Sequence, residues 1–224
     1  MLRQAHFAIP RLLMTAATVV ACALPLVAAN FPDPAIDASH SAGKSETAVL
    51  AGGCFWGVEG VFESLKGVSN VVSGYSGGKA KTAHYEMVST GTTGHAESVQ
   101  ITYDPSQISY GQLLKIFFSV AHDPTEKNRQ GPDWGTQYRS EIFYANDEQK
   151  RVAEAYVQQL NDAKIYKKPI VTLIEPLQAF YPAEEHHQHF MARNPNYPYI
   201  VYNDAPKVRH LHKEYPELVK GDAK

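Results

Sequence analysis

An α+β fold, with helices packed on a mixed sheet, is predicted by three features of the sequence. A short apolar run, Thr47-Ala48-Val49-Leu50-Ala51, ends at Gly52-Gly53 and gives way to Val58, Val61, Phe62 and Leu65 at the three-and-four spacing of a helix face. Residues 97–103 then change period to two, with Val99, Ile101 and Tyr103 alternating with Ser98, Gln100 and Thr102. Helical spacing returns in Leu113, Leu114, Phe117 and Phe118 before a strand-like stretch from Ser140 to Ala145. With Val68 to Tyr75 read as a strand, the order is β-α-β-β-α-β, a ferredoxin-like core carrying extra helices and long loops.

The remaining elements follow along the chain. Residues 1–29 carry Arg3 and Arg11, no acidic residue, and an apolar run from Leu12 to Ala29 that ends in small residues. That is the pattern of a signal peptide, so the protein is expected to be exported, to the periplasm in a bacterium. A membrane anchor through residues 12–29 is one alternative, because that run approaches the shortest bilayer span. Lipidation at Cys22, in Val19-Val20-Ala21-Cys22, is another; Pro25 and the continued apolar stretch favour cleavage over both. Residues 30–46 mix Pro, Asp, Ser and Gly without apolar period and read as a linker. The folded domain is expected over 47–203, with 204–224 as a C-terminal tail. Within it Gly67 closes the first helix, and a loop rich in Asp, Pro and Gly runs from His122 to Gly135. A polar helix covers Asp147 to Ala163, a strand Ile170 to Glu175, and a short helix Ala183 to Ala192.

Composition narrows the function. At 44% hydrophobic and 20% charged, the 224 residues suit a globular domain and exclude disorder. A balance of 21 Lys and Arg against 23 Asp and Glu leaves no basic footprint for nucleic acid. Two cysteines, Cys22 and Cys54, can build neither a disulfide framework nor a cysteine-rich zinc site.

Cys54 lies between a strand end and a helix start. Unpaired N–H groups and the helix dipole at that position are expected to lower its pKa and favour the nucleophilic thiolate. Phe55 and Trp56 follow it, where large aromatics have no helical advantage, and they point to an apolar substrate pocket.

The run Gly53-Cys54-Phe55-Trp56-Gly57 resembles the active-site signature of the A-type peptide methionine sulfoxide reductases. The similarity continues in family order through Gly74-Tyr75-Ser76-Gly77-Gly78, Tyr85-Glu86-Met87-Val88, Thr93-Gly94-His95-Ala96-Glu97 and His122-Asp123-Pro124-Thr125. It extends through Asn128-Arg129-Gln130-Gly131, Asp133-Trp134-Gly135-Thr136-Gln137-Tyr138-Arg139-Ser140 and Phe180-Tyr181-Pro182-Ala183-Glu184, spanning roughly residues 47–200.

The resemblance implies an oxidoreductase that reduces the S-epimer of methionine sulfoxide, free or in oxidised proteins, by attack of Cys54 on the sulfoxide sulfur. It implies Glu97 as the acid that protonates the oxygen, and a carboxyl beside aromatic walls has the raised pKa this requires. It makes Tyr85 and Tyr138 hydrogen-bond donors to that oxygen, Phe55 and Trp56 the methyl pocket, and Asp133 a substrate-ordering residue. Better-known members carry further cysteines toward the C-terminus; here the tail has none. The first product is then a sulfenic acid on Cys54, reduced by an external thiol: a thioredoxin-like protein, a glutaredoxin or glutathione. No cofactor, metal or nucleic acid is expected, and the protein reads as a monomer.

Two other chemistries are weighed. His186, His187 and His189, with His210 and His212, invite a metal, but they lack zinc-enzyme spacing and read as a solvated helix. A cysteine hydrolase would need His84, His95 or His122 beside Cys54.

Overall fold

The computed structural model describes residues 31–38 and 44–221. Residues 1–29, expected to be a signal peptide, lie outside the described residues together with Cys22. Strand β1 (Glu46–Gly52) runs into helix α1 (Phe55–Glu63), followed by β2 (Val68–Ser76), the single turn α2 (Tyr85–Val88) and β3 (Ala96–Tyr103). Helix α3 (Tyr110–Ile116) continues into a π-helical turn over 117–121. The long loop after it contains a small hairpin of β4 (Arg129–Gln130) and β5 (Asp133–Trp134). Then come β6 (Ser140–Tyr144), α4 (Asp147–Asp162), β7 (Leu173–Pro176), β8 (Phe180–Pro182), α5 (Phe190–Arg193) and α6 (Ala205–Glu214).

Six strands form one sheet in the order β7-β6-β1-β3-β2-β8. Its centre, β6-β1-β3-β2, is antiparallel, with α1 and α3 as the two connections, so the predicted βαββαβ core is present. Strand β7 joins parallel to β6 across α4, which makes the sheet mixed. Alternation explains the apolar run in β1: Ala48 and Leu50 enter the main core under the helices, while Val49 and Ala51 meet Ala96 and Phe143 on the opposite face. A strand covered on both faces reads as continuously apolar. The main core joins Val99 and Ile101 of β3 to Val58, Val61 and Phe62 of α1, Leu113 and Leu114 of α3, and Val152, Tyr156 and Leu160 of α4.

Several segments differ from the sequence expectation, each for a local reason. Residues 31–38, read as linker, are tied to the helices: Ser109 Oγ and Gly111 N–H donate to Asp37, and Tyr156 Oη donates to the Pro32 carbonyl at 2.6 Å. The expected strand at 170–175 starts at Leu173, because Ile170 N–H donates to Asn161 and Val171 N–H to the Pro124 carbonyl instead of entering the ladder. The helix expected over 183–192 is split into a 3-10 turn, Glu185–His187, and α5. Between them the Gln188 side chain pairs with both backbone groups of Ser73, each at 2.9 Å, and His189 turns left-handed at φ +52. The stretch assigned to a C-terminal tail holds α6, which packs on α1 and buries Leu211 in the main core. Close approach there needs Gly57, since a Cβ on it would stand 2.1 Å from Asp204 Oδ1.

The turn into α1 rests on Gly53, at φ +93, where a Cβ would lie 2.6 Å from Gln130 Cβ and Cγ. Gln130 cannot swing aside, because its amide is bonded to both backbone groups of Asp123. Gly131, at φ +53, has open space around it. Gly131→Ala is therefore expected to cost about 1–2 kcal/mol, from left-handed backbone alone. Gly53→Ala should cost about 2–5 kcal/mol, since strain and overpacking add. Denaturant unfolding of both variants checks this; equal losses would refute the steric account.

Candidate active site

The first turn of α1 organises the site. Cys54 is its N-cap residue, with φ −54 and ψ 122, and is 8% exposed. Two N–H groups at this helix start are directed at different acids. Phe55 N–H donates to Glu97 Oε2 at 3.1 Å, and Trp56 N–H favours the charged form of the Cys54 sulfur. Glu97 sits near the start of β3, opposite Tyr75 of β2, and is 2% exposed. The register of the sheet thus places a carboxyl under the helix that starts at the thiol.

A cavity of about 170 Å³ is lined by Cys54, Phe55, Trp56, Tyr85, Glu97, Asp133, Tyr138 and Tyr199. All seven residues selected from the sequence meet there. The eighth, Tyr199, has no signal in the sequence, because Asn196-Tyr197-Pro198-Tyr199 offers no periodicity or spacing that marks one tyrosine as functional. Its hydroxyl donates to Asp133 Oδ2. The space compares with an engineered cavity of about 150 Å³ that accepts benzene, so it suits the end of one side chain.

The walls differ in character. Trp56 stacks on Phe190 with ring centroids 3.8 Å apart and meets Tyr197 and Tyr199 edge-on. On the other side Tyr85 begins α2, its N–H donating to Glu184 Oε1 at 2.8 Å and its ring lying against His187. Tyr75 Oη donates to the second Glu184 oxygen at 2.9 Å. Burial opposes the charge on Glu184, but these hydrogen bonds hold it below the usual carboxylate range. Tyr138 ends the 3-10 turn after β5. Burial, then the Glu97 charge, raises the hydroxyls of Tyr85 and Tyr138, so both remain proton donors.

The electrostatics correct one expectation. Burial pushes the Cys54 thiol well above its ordinary range, with Glu97 and Asp204 adding to the rise; Trp56 N–H and Lys207 oppose it without reversing it. A helix terminus contributes roughly 0.3–1 kcal/mol, up to about 2 when partly buried. Removing an ion from water costs several kcal/mol, so desolvation wins and the free thiol is neutral. For Glu97 the expected direction holds: burial raises it from 4.5 to about 8.

One of the histidines read as part of a solvated helix departs from that reading, whereas His186, His210 and His212 are exposed. His187 is buried, and neither ring nitrogen has a partner among the described residues. The hydrolase alternative finds no base, since His84, His95 and His122 do not line the cavity. His122 instead bonds Ser140 Oγ and the Phe117 carbonyl, and burial lowers it to about 3.

With this geometry in place, comparison with known proteins is specific. The family model described as "Peptide methionine sulfoxide reductase" matches residues 46–218. A Mesorhizobium japonicum protein, "Peptide methionine sulfoxide reductase MsrA 2", is 63% identical over 174 residues, 78% of this chain and 89% of its own. A Synechocystis protein of the same description is 52% identical over 195 residues, covering 86% and 91%. Among solved structures, reduced Mxr1 from Saccharomyces cerevisiae superposes with TM-score 0.62 at 34% identity, over 71% of this chain and 91% of that one. Methionine sulfoxide reductase A of Corynebacterium diphtheriae gives 0.60 at 34%, over 70% and 78%.

The raised Glu97 pKa has a consequence for stability. The folded chain keeps this proton up to about pH 8, whereas the unfolded chain releases it near 4.5, so stability falls as pH rises through that window. Glu97→Gln should make that slope shallower in urea titrations. Above pH 8 the variant also lacks a negative charge beside Cys54, so its thiol should be alkylated by iodoacetamide faster than wild type at about pH 9. An unchanged slope would show that Glu97 titrates as an ordinary carboxylate, and an unchanged alkylation profile would show that its charge does not act on Cys54.

Proposed function

The chain belongs to the peptide methionine sulfoxide reductase family and is an oxidoreductase that reduces methionine sulfoxide to methionine; from that premise we propose that Cys54 is its nucleophile and Glu97 its acid, acting on the S-epimer. The observation that carries this reading is the one cavity shared by a thiol, a carboxyl with raised pKa, two donor tyrosines and an aromatic wall. A sulfoxide has one oxygen and one small methyl group on its sulfur, and the cavity offers hydroxyls for the first and Phe55 and Trp56 for the second. The opposite epimer would place oxygen against the rings, leaving it without a hydrogen bond.

The proton movements follow from burial. At neutral pH both Cys54 and Glu97 hold protons, so the resting pair carries no charge in a site that penalises it. Cys54 Sγ bonds to the sulfoxide sulfur as Glu97 protonates the oxygen, and the thiol proton passes to the carboxylate that results. The S–O bond then breaks, the hydroxyl moves to Cys54 Sγ, and methionine leaves. One thiol and one sulfoxide become one sulfenic acid and one thioether, and Glu97 ends protonated. Tyr85 and Tyr138 stabilise the oxygen as its charge changes; Asp133, joined to Tyr199, orders the mouth of the site.

Residues 55–224 contain no cysteine, which supports reduction of the sulfenic acid by an external thiol. A thioredoxin-like protein, a glutaredoxin or glutathione suits that chemistry, and the substrates are free methionine sulfoxide and oxidised proteins. The basic, apolar and acid-free residues 1–29 support export, to the periplasm in a bacterium, and the chain is taken to act as a monomer.

Two experiments test the assignment. Glu97→Gln should bind substrate and lose about 10²–10⁴-fold in turnover, since the amide has the same volume and no proton to give; steady-state rates within twofold of wild type would remove the acid role. In the Cys22→Ser chain, excess S-sulfoxide without reductant should release one equivalent of methionine while the remaining thiol becomes trappable as sulfenic acid. Continued release of methionine without any reductant would rule out the single-thiol cycle.

A further inference from the structure

Away from the cavity, Glu59 and Glu63 stand four residues apart on α1, and His189 approaches them from the segment that precedes α5. One ligand atom from each of the three lies within 4.8 Å of the others. Glu63 and His189 already meet, Oε1 to Nδ1, at 2.5 Å. Glu59 is the decisive member: it is 1% exposed, and neither carboxylate oxygen has a hydrogen-bond partner among the described residues. Ser73 Oγ and the His189 N–H favour its charged form from nearby, but neither reaches hydrogen-bonding geometry.

A buried carboxyl without a partner is expensive in either protonation state. Charged, it lacks donors; protonated, it adds an unpaired O–H. Two carboxylates four residues apart on one helix face also repel each other. A bound cation resolves both conditions. We propose that Glu59, Glu63 and His189 form a binding site for a first-row divalent metal ion, with one imidazole nitrogen and two carboxylate oxygens as ligands and solvent completing the coordination.

That donor set matches the nitrogen and oxygen ligands of Zn²⁺ and Co²⁺ better than the all-oxygen shells of Ca²⁺ or Mg²⁺. Entry is open on two sides: surface clefts of about 280 and 250 Å³ are both lined by His189, and the second also by Glu63. Lys220 lines that second cleft, its ammonium directed to the Glu63 carbonyl at 2.7 Å. The site would join the helix that begins at Cys54 to the residue just before Phe190, the ring stacked on Trp56. Metal at this point therefore braces the substrate wall from behind without touching substrate.

The test uses the full chain carrying Cys22→Ser and Cys54→Ser, so that no thiol competes, freed of metal by chelation and titrated with Zn²⁺ by calorimetry and Co²⁺ by visible absorbance. One equivalent should bind per chain and raise Tm. In the same background Glu59→Gln, Glu63→Gln and His189→Asn should each weaken binding roughly tenfold or more, whereas His212→Asn should leave it unchanged. Asparagine tolerates the left-handed backbone at position 189, and Glu63 and His189 are partly exposed, so these two variants decide the matter if Glu59→Gln does not fold. Absence of stoichiometric binding, binding equal to wild type in Glu63→Gln or His189→Asn, or retention in folded Glu59→Gln overturns the proposal.

Discussion

The hydrogen bond from Phe55 N–H to Glu97 fixes the start of α1 against β3, and the other features of the site are arranged around it. It holds a carboxyl beside a thiol inside the protein, where neither is readily ionised. The helix terminus distributes its donors between the two groups, one N–H to each. That division is too weak to offset burial, so the pair rests neutral, and in the proposed reaction it exchanges protons with substrate. The same low-dielectric setting that suppresses the thiolate keeps an acid protonated near neutral pH, which a sulfoxide oxygen requires.

Holding such a pair in place requires support from segments far apart in the chain. Tyr199 reaches the cavity from the turn before α6 and bonds Asp133 on the β5 hairpin, while Glu184, just after β8, positions Tyr85 through its backbone N–H. Behind α1, Asp204 is buried against Gly57 and paired with Lys207 at 3.1 Å. Both side chains of that pair crowd the Gly57 position, so the α6 segment is coupled to the helix that starts at Cys54. Residues 199–207 are thus part of the support of the candidate site. The same helix also carries the buried Glu59 carboxyl, which burial pushes up to about 7.

What the sequence by itself determined lies within single segments. Period and punctuation located β1, α1, β2, β3 and β6, because an amphipathic stretch such as α1 shows the one face it buries and a strand covered on both faces, such as β1, reads as continuously apolar. Ordered motifs selected Cys54, Phe55, Trp56, Tyr85, Glu97, Asp133 and Tyr138, which the fold then brought to one cavity. Tertiary structure alone decided the rest. The pKa direction of Cys54 depends on how completely other segments exclude water from it, and a helix start read in isolation indicates only the opposing dipole. Tyr199, the burial of His187 and the docking of residues 31–38 and of α6 likewise depend on partners more than 60 residues away, such as Asp133 for Tyr199 and Ser109 for Asp37. Local spacing carries no information about such contacts, because their free energy arises only when distant segments share a desolvated interface.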